Sequence, residues 1–242
     1  MRVFGPKAPL FRFRWDLAYL LAALLADRRA DIQDLAPVIE ALLVDLGKER
    51  DALEGAEDLV MVTNAKRDRR DEDVDNRVVM LGGVSRAVDK VVYERLFPGK
   101  SPSLLTKLGL NKQMLENERI LGELAALPAN HPVRVAYEAV FTADMNEMRA
   151  SIKASNEAEV GLKLARSHAR QFKAKMDTVR VETHGKLQTL LGSRKEADKF
   201  FRTLTTAPGE ADEEEEEGNE HDDTPAVRPA EVPSPAAAPA IA

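Results

Sequence analysis

The chain reads as an all-α protein: an elongated helical bundle or antiparallel coiled coil with a disordered acidic C-terminal tail. Three observations predict this. Apolar residues recur at intervals of three and four from Leu17 to Leu204. The stretch Tyr137 to Leu191 contains no proline and keeps a mean apolar interval of 3.5 residues, the period of a left-handed seam against another long helix. Charge and composition then change abruptly near residue 205.

Taken in order, residues 1–15 have no sustained period and carry Gly5, Pro6 and Pro9, which predicts an extended arm. Phe4, Phe11, Phe13 and Trp15 are four of the nine Phe and Trp residues in the chain. Such an arm either packs along a groove of the body or docks on a partner. From Asp16, placed as an N-cap, the face Leu17, Leu20, Leu21, Leu24 and Leu25 predicts a first short helix.

A second stripe, Leu35, Ile39, Leu42, Leu46, Leu53, Ala56, Val60 and Thr63, predicts a helix starting near Asp34, because Pro37 is tolerated only in a first turn. Lys66 to Arg77 holds almost no apolar residue, yet Arg67 with Asp71 and Arg69 with Asp73 are spaced to pair along an exposed helix. The stripe resumes at Val74, Val78, Leu81, Val84, Val88, Val92 and Leu96 and stops at Phe97-Pro98-Gly99.

Ser101 to Leu110 reads as a short helical connector and Asn111 to Leu127 as a further helix. Asn130 is the expected cap before the long helix. Small residues fill the middle of that helix's seam, at Ser155, Ala158, Ala165 and Ala169, so its partner is expected to approach closely. Ser193 opens a last helix, with Glu196 at the capping-box position and Ala197, Phe200, Phe201 and Leu204 on one face. An echo between Leu81–Leu96 and Leu190–Leu204 suggests two similar halves of the bundle 16–204, about 31–97 and 137–204, each closed by a Gly-Ser-Arg break; chance similarity explains it equally well.

The net charge of −6 hides a division. Pro208 to Ala242 holds 11 acids and the single base Arg228, whereas the rest of the chain is mildly basic, with 34 Lys and Arg against 30 acids. Residues 205–242, acidic and then rich in Pro and Ala, have almost nothing to bury and are expected to be disordered. Between Arg149 and Lys195 eleven bases face four acids. Arg149, Lys153, Lys163, Arg166, Arg170, Lys173, Lys175, Arg180 and Lys186 are therefore the candidate ridge for a polyanion or an acidic partner. The competing reading is a solvated face paired with acids of a neighbouring helix.

Few chemistries find support. Without cysteine there is no disulfide, thiolate nucleophile or cysteine zinc site. Asp71-Glu72-Asp73-Val74-Asp75 opens like a calcium loop but has Asn76 and Gly82 where Gly and Glu are required. Gly99-Lys100-Ser101 resembles the end of a phosphate loop, but Glu94 replaces the required first Gly. No Glu-x-x-His spacing for a di-iron site occurs, and His168 and His184 are too far apart on one helix to share a ligand. The longest uncharged apolar run near the start, Leu17 to Ala26, is too short to span a membrane.

These features predict a cytoplasmic, non-enzymatic scaffold without cofactor or metal. It would assemble through helical faces with itself or another helical chain. The alternative is a nucleic-acid-associated protein that uses the basic helix 149–195, with the acidic tail as competitor.

Overall fold

A computed structural model describes residue 1 and residues 3–202. The predicted disordered tail, 205–242, and Leu204 of the last helical face lie outside the described residues. Eight helices are described: α1 (Leu10–Ala26), α2 (Ala30–Gln33), α3 (Ala36–Val88), α4 (Lys90–Leu96), α5 (Pro102–Leu105), α6 (Leu110–Ala125), α7 (Pro132–Leu191) and α8 (Arg194–Asp198). Among the described residues none is long and apolar enough to cross a membrane.

The frame is an antiparallel pair of two long helices, α3 with 53 residues and α7 with 60. At 1.5 Å per residue they run about 80 and 90 Å. Cross-helix contacts fix their opposite directions: Asp45 meets Lys175, Glu57 meets Arg166, Asn64 meets Ser155 and Arg77 meets Asp144. Helix α7 is continuous from Pro132 to Leu191, a point that the spacing over residues 137–191 leaves open. His131 caps it instead of Asn130, its Nδ1 accepting from the Val133 amide. Gly192 ends it in the left-handed conformation, at φ 66°. Ser193 then caps α8, with its Oγ accepting from Glu196 N, but α8 lasts only five residues.

Apolar burial concentrates at the two ends. In the first cluster, Phe13, Leu17, Leu20 and Leu24 of α1 pack with Ile39, Leu42 and Leu46 of α3 and with Phe172, Met176 and Leu187 of α7. In the second, Val74, Val78 and Leu81 of α3 pack with Ile120 and Leu124 of α6 and with Tyr137, Phe141, Met145 and Met148 of α7. Neither cluster includes residues 47–73 or 153–171, a waist about 40 Å long on α3 by helical rise. There the buried residues are small or polar: Thr63, Ser155, Ala158 and Ala169. Ser155 Oγ donates to Asn64 Oδ1 at 2.6 Å and accepts from Arg67. Arg69 pairs with Asp73 as its spacing predicts, whereas Arg67 bonds Asp68 and Ser155 rather than Asp71.

Several boundaries differ from expectation. The arm is helical from Leu10, so Asp16 lies inside α1 and is buried instead of capping it. Helix α3 does not break at Gly82–Arg86; it ends at Asp89, whose side chain caps α4. Gly82 serves another purpose, since a Cβ there would stand 2.2 Å from Pro102 Cγ, so its absence lets α5 lie against α3. The two echoing stretches therefore fold differently. The order of elements nonetheless repeats: a helix of 17 or 16 residues, a long helix, and a short closing helix. The buried positions Phe13, Leu17, Leu20 and Leu24 of α1 have the same spacing as Gln113, Asn117, Ile120 and Leu124 of α6.

Where α1 buries Leu17, α6 buries Asn117, whose side-chain nitrogen and oxygen have no hydrogen-bond partner among the described residues. A buried amide without partners is destabilising. Replacing Asn117→Leu is expected to raise the unfolding free energy by about 1–2 kcal/mol in urea denaturation; a decrease would show that the amide is compensated.

Candidate functional site

The most polar buried constellation lies at the α1 end. Arg180 is 1% exposed and Asp16 3%. The Arg180 guanidinium donates through Nε to Asp16 Oδ2 at 2.6 Å and through Nη1 to Asp177 Oδ1 at 2.5 Å. Asp177 also accepts from the backbone amides of Phe4 at 3.2 Å and Gly5 at 2.8 Å. The Phe4 ring covers the guanidinium, with Cζ 4.1 Å from its centroid. Asp16 takes a further hydrogen bond from the Arg202 backbone, yet burial pushes its carboxyl above the ordinary range. Beside this cluster Asp198 bonds the Met1 amine at 2.6 Å and His184 Nε2 at 2.8 Å, and these partners hold its carboxyl below the ordinary range. The geometry clamps a strap onto the bundle.

The four aromatic residues of the predicted docking arm divide into two pairs. Phe4 and Phe13 turn inward and meet edge to face at 5.1 Å, with Phe13 fully buried. Phe11 and Trp15 turn outward, edge to face at 5.0 Å, each about half exposed. The first pair packs on the body; the second remains available at the surface.

The basic ridge is likewise divided. Arg180 is not part of it, because its guanidinium is consumed by two buried carboxylates. Lys173 donates to the Pro6 carbonyl. Arg149 pairs with Glu118, Lys153 with Glu157, Arg166 with Glu57 and Lys175 with Asp45. Lys163, Arg170 and Lys186 are exposed on α7. Seven of the nine bases thus stay exposed, four of them beside an acid, while Lys173 is half-buried and Arg180 is buried.

The calcium-like stretch is a continuous part of α3. Burial and neighbouring Asp71 push the Asp75 carboxyl up to about 6, against the hydrogen bond from Gln113. Among the described residues no three His, Asp or Glu side chains converge as a metal site. His168 is exposed, while His184 is engaged with Asp198 and lies against Phe201.

No protein-family model, curated protein or solved structure matches the chain. The residues sequence reasoning missed are Asp16 and Asp177 as partners of Arg180. A signal existed: Arg180 falls four residues after Met176 and three before Thr183, in phase with the buried face.

Removing one partner of a buried ion pair strands the other charge. Asp177→Ala is therefore expected to cost about 3 kcal/mol in chemical denaturation and to expose the segment around Phe4 and Gly5 to faster proteolysis. An unchanged cleavage rate there would show that the strap is held by its apolar contacts alone.

Proposed function

We propose that this protein is a non-enzymatic, cytoplasmic helical scaffold that assembles through coiled-coil-like faces of its long helices, with itself or with another helical chain. The observation that carries the reading is an apolar girdle at the waist. Leu59, Met61 and Val62 of α3 and Val160 and Leu164 of α7 are 49–67% exposed. They lie near the midpoints of the two antiparallel helices, where neither apolar cluster reaches. Leu59 with Val62 on α3, and Val160 with Leu164 on α7, share helix faces, and a partner helix covering such a pair removes its apolar surface from solvent. A waist about 40 Å long and two helices wide offers on the order of the 800 Å² per partner that stable interfaces bury.

For self-assembly the expected outcome is a dimer by light scattering coupled to size exclusion, converted to monomer by the double change Val62→Glu and Leu164→Glu. Because both residues are exposed, the helical circular dichroism should persist. A wild-type chain that stays monomeric at high concentration and binds no other helical chain would sink the reading.

A second reading, nucleic-acid association, is favoured by exposed Lys163, Arg170 and Lys186 and by the mildly basic body. It predicts a salt-dependent gel shift that strengthens when residues 208–242 are deleted. A shift that is insensitive to salt, or no shift at low salt, counts against it.

A further inference from the structure

Helix α1 is apolar on both sides. Its inner side, Phe13, Leu17, Leu20 and Leu24, is buried in the first cluster. Its outer side consists of Phe11, Trp15, Ala18, Tyr19, Ala22 and Leu25, all exposed. Phe11, Trp15, Tyr19 and Leu25 are 50%, 52%, 46% and 58% exposed. A helix apolar all round is ordinarily covered on every side. These side chains present on the order of 400 Å² of apolar surface, as much as the largest patch of a typical monomer.

The patch is not flat. Trp15, Ala18, Tyr19 and Arg202 line an open dent of about 350 Å³. Arg202 forms one wall: its guanidinium lies 5.4 Å from the Trp15 ring centre, and its backbone is bonded by buried Asp16. The charge beside the dent is positive. Arg12, Arg14 and Arg202 border the stripe there, and the single acid within α1, Asp16, is turned inward; at the other end Asp27 follows the helix and Arg29 is paired with Asp31. A second copy laid face to face over the dent would bring its own Arg14 and Arg202 up to these same cations. A helix with an apolar knob and flanking carboxylates satisfies both features. Trp, Tyr and Arg around a shallow pocket are also the residues that dominate interface energetics.

We propose that the outer face of α1 is the docking site for an amphipathic helix of a partner protein, with an apolar side chain seated between Trp15 and Tyr19 and acidic residues facing Arg14 and Arg202. This rests on the scaffold reading and adds the chemistry of the partner.

Trp15 is the only tryptophan in the chain, so its fluorescence reports on this face. The full-length protein would be titrated with two designed helical peptides that share a leucine stripe but carry Glu or Lys on its flanks. The expected result is a blue shift of Trp15 emission with the Glu peptide, weakened at least tenfold by Tyr19→Ser or Ala22→Glu, weakened by salt, and at least tenfold weaker with the Lys peptide. Equal binding of both peptides, or of neither, overturns the proposal. So does a blue shift produced only by vesicles of phosphatidylglycerol and phosphatidylcholine, or only by raising protein concentration. The Val62→Glu, Leu164→Glu protein separates the two ideas: it loses self-assembly at the girdle but retains the Trp15 response.

Discussion

Everything at the α1 end depends on one guanidinium kept out of water. Moving a charge into a protein interior costs several kcal/mol, and the cost is offset only when its donors are matched by well-placed acceptors. Arg180 reaches that condition with carboxylates from two elements, Asp177 one turn away on α7 and Asp16 on α1. Those carboxylates in turn organise backbone: Asp177 holds the amides of Phe4 and Gly5, and Asp16 that of Arg202. Both ends of the described chain are thus tied to one ion cluster. Apolar packing alone tolerates small slips of a helix, while a bonded guanidinium admits few positions for α1 and therefore for the surface α1 displays.

The distribution of apolar residues along the hairpin has a mechanical logic. At each end a third helix, α1 or α6, lies against the pair and supplies a second side to a real core. Between them two helices alone cannot enclose large side chains, so the seam uses Ala158, Ala169, Thr63 and the hydroxyl of Ser155. The larger apolar residues of the waist are left outside that seam. Stability is therefore supplied at the ends, and the middle contributes least to the monomer.

Much of this architecture was legible in residue spacing. A 3.5-residue period without proline marked the long seam of α7, though not that the helix is unbroken, and the Pro37 and Gly99 signals placed the start of α3 and the stop after α4 within a few residues. What spacing could not convey was which polar residues turn inward. Asp16 has the identity of an N-cap and stands before an apolar run, but Pro9 allows the helix to begin two turns earlier, and the carboxylate is then drawn to Arg180. Arg180 counts as surface charge in any sum over the helix; only its phase with Met176 and Thr183 distinguishes it. The outer face of α1 was obscured for the converse reason, since Leu, Ala and aromatic residues read as core wherever they occur.

The two clusters also differ in how far along the chain their members lie. The α6 end draws on residues 74–152, a contiguous stretch, whereas the α1 end joins residues before 47 to residues after 171. Closing the first needs only short excursions of chain; closing the second carries the loop entropy of more than a hundred residues. The α6 end therefore condenses first and acts as the hinge from which α3 and α7 zip together. Asp16 of α1 is separated from its ion partner Arg180 on α7 by 164 residues, so the tie that fixes α1 forms only once α7 is in place. The outer face of α1 therefore takes its final orientation only when the last long helix has closed, so whatever it displays is displayed by the completed hairpin alone.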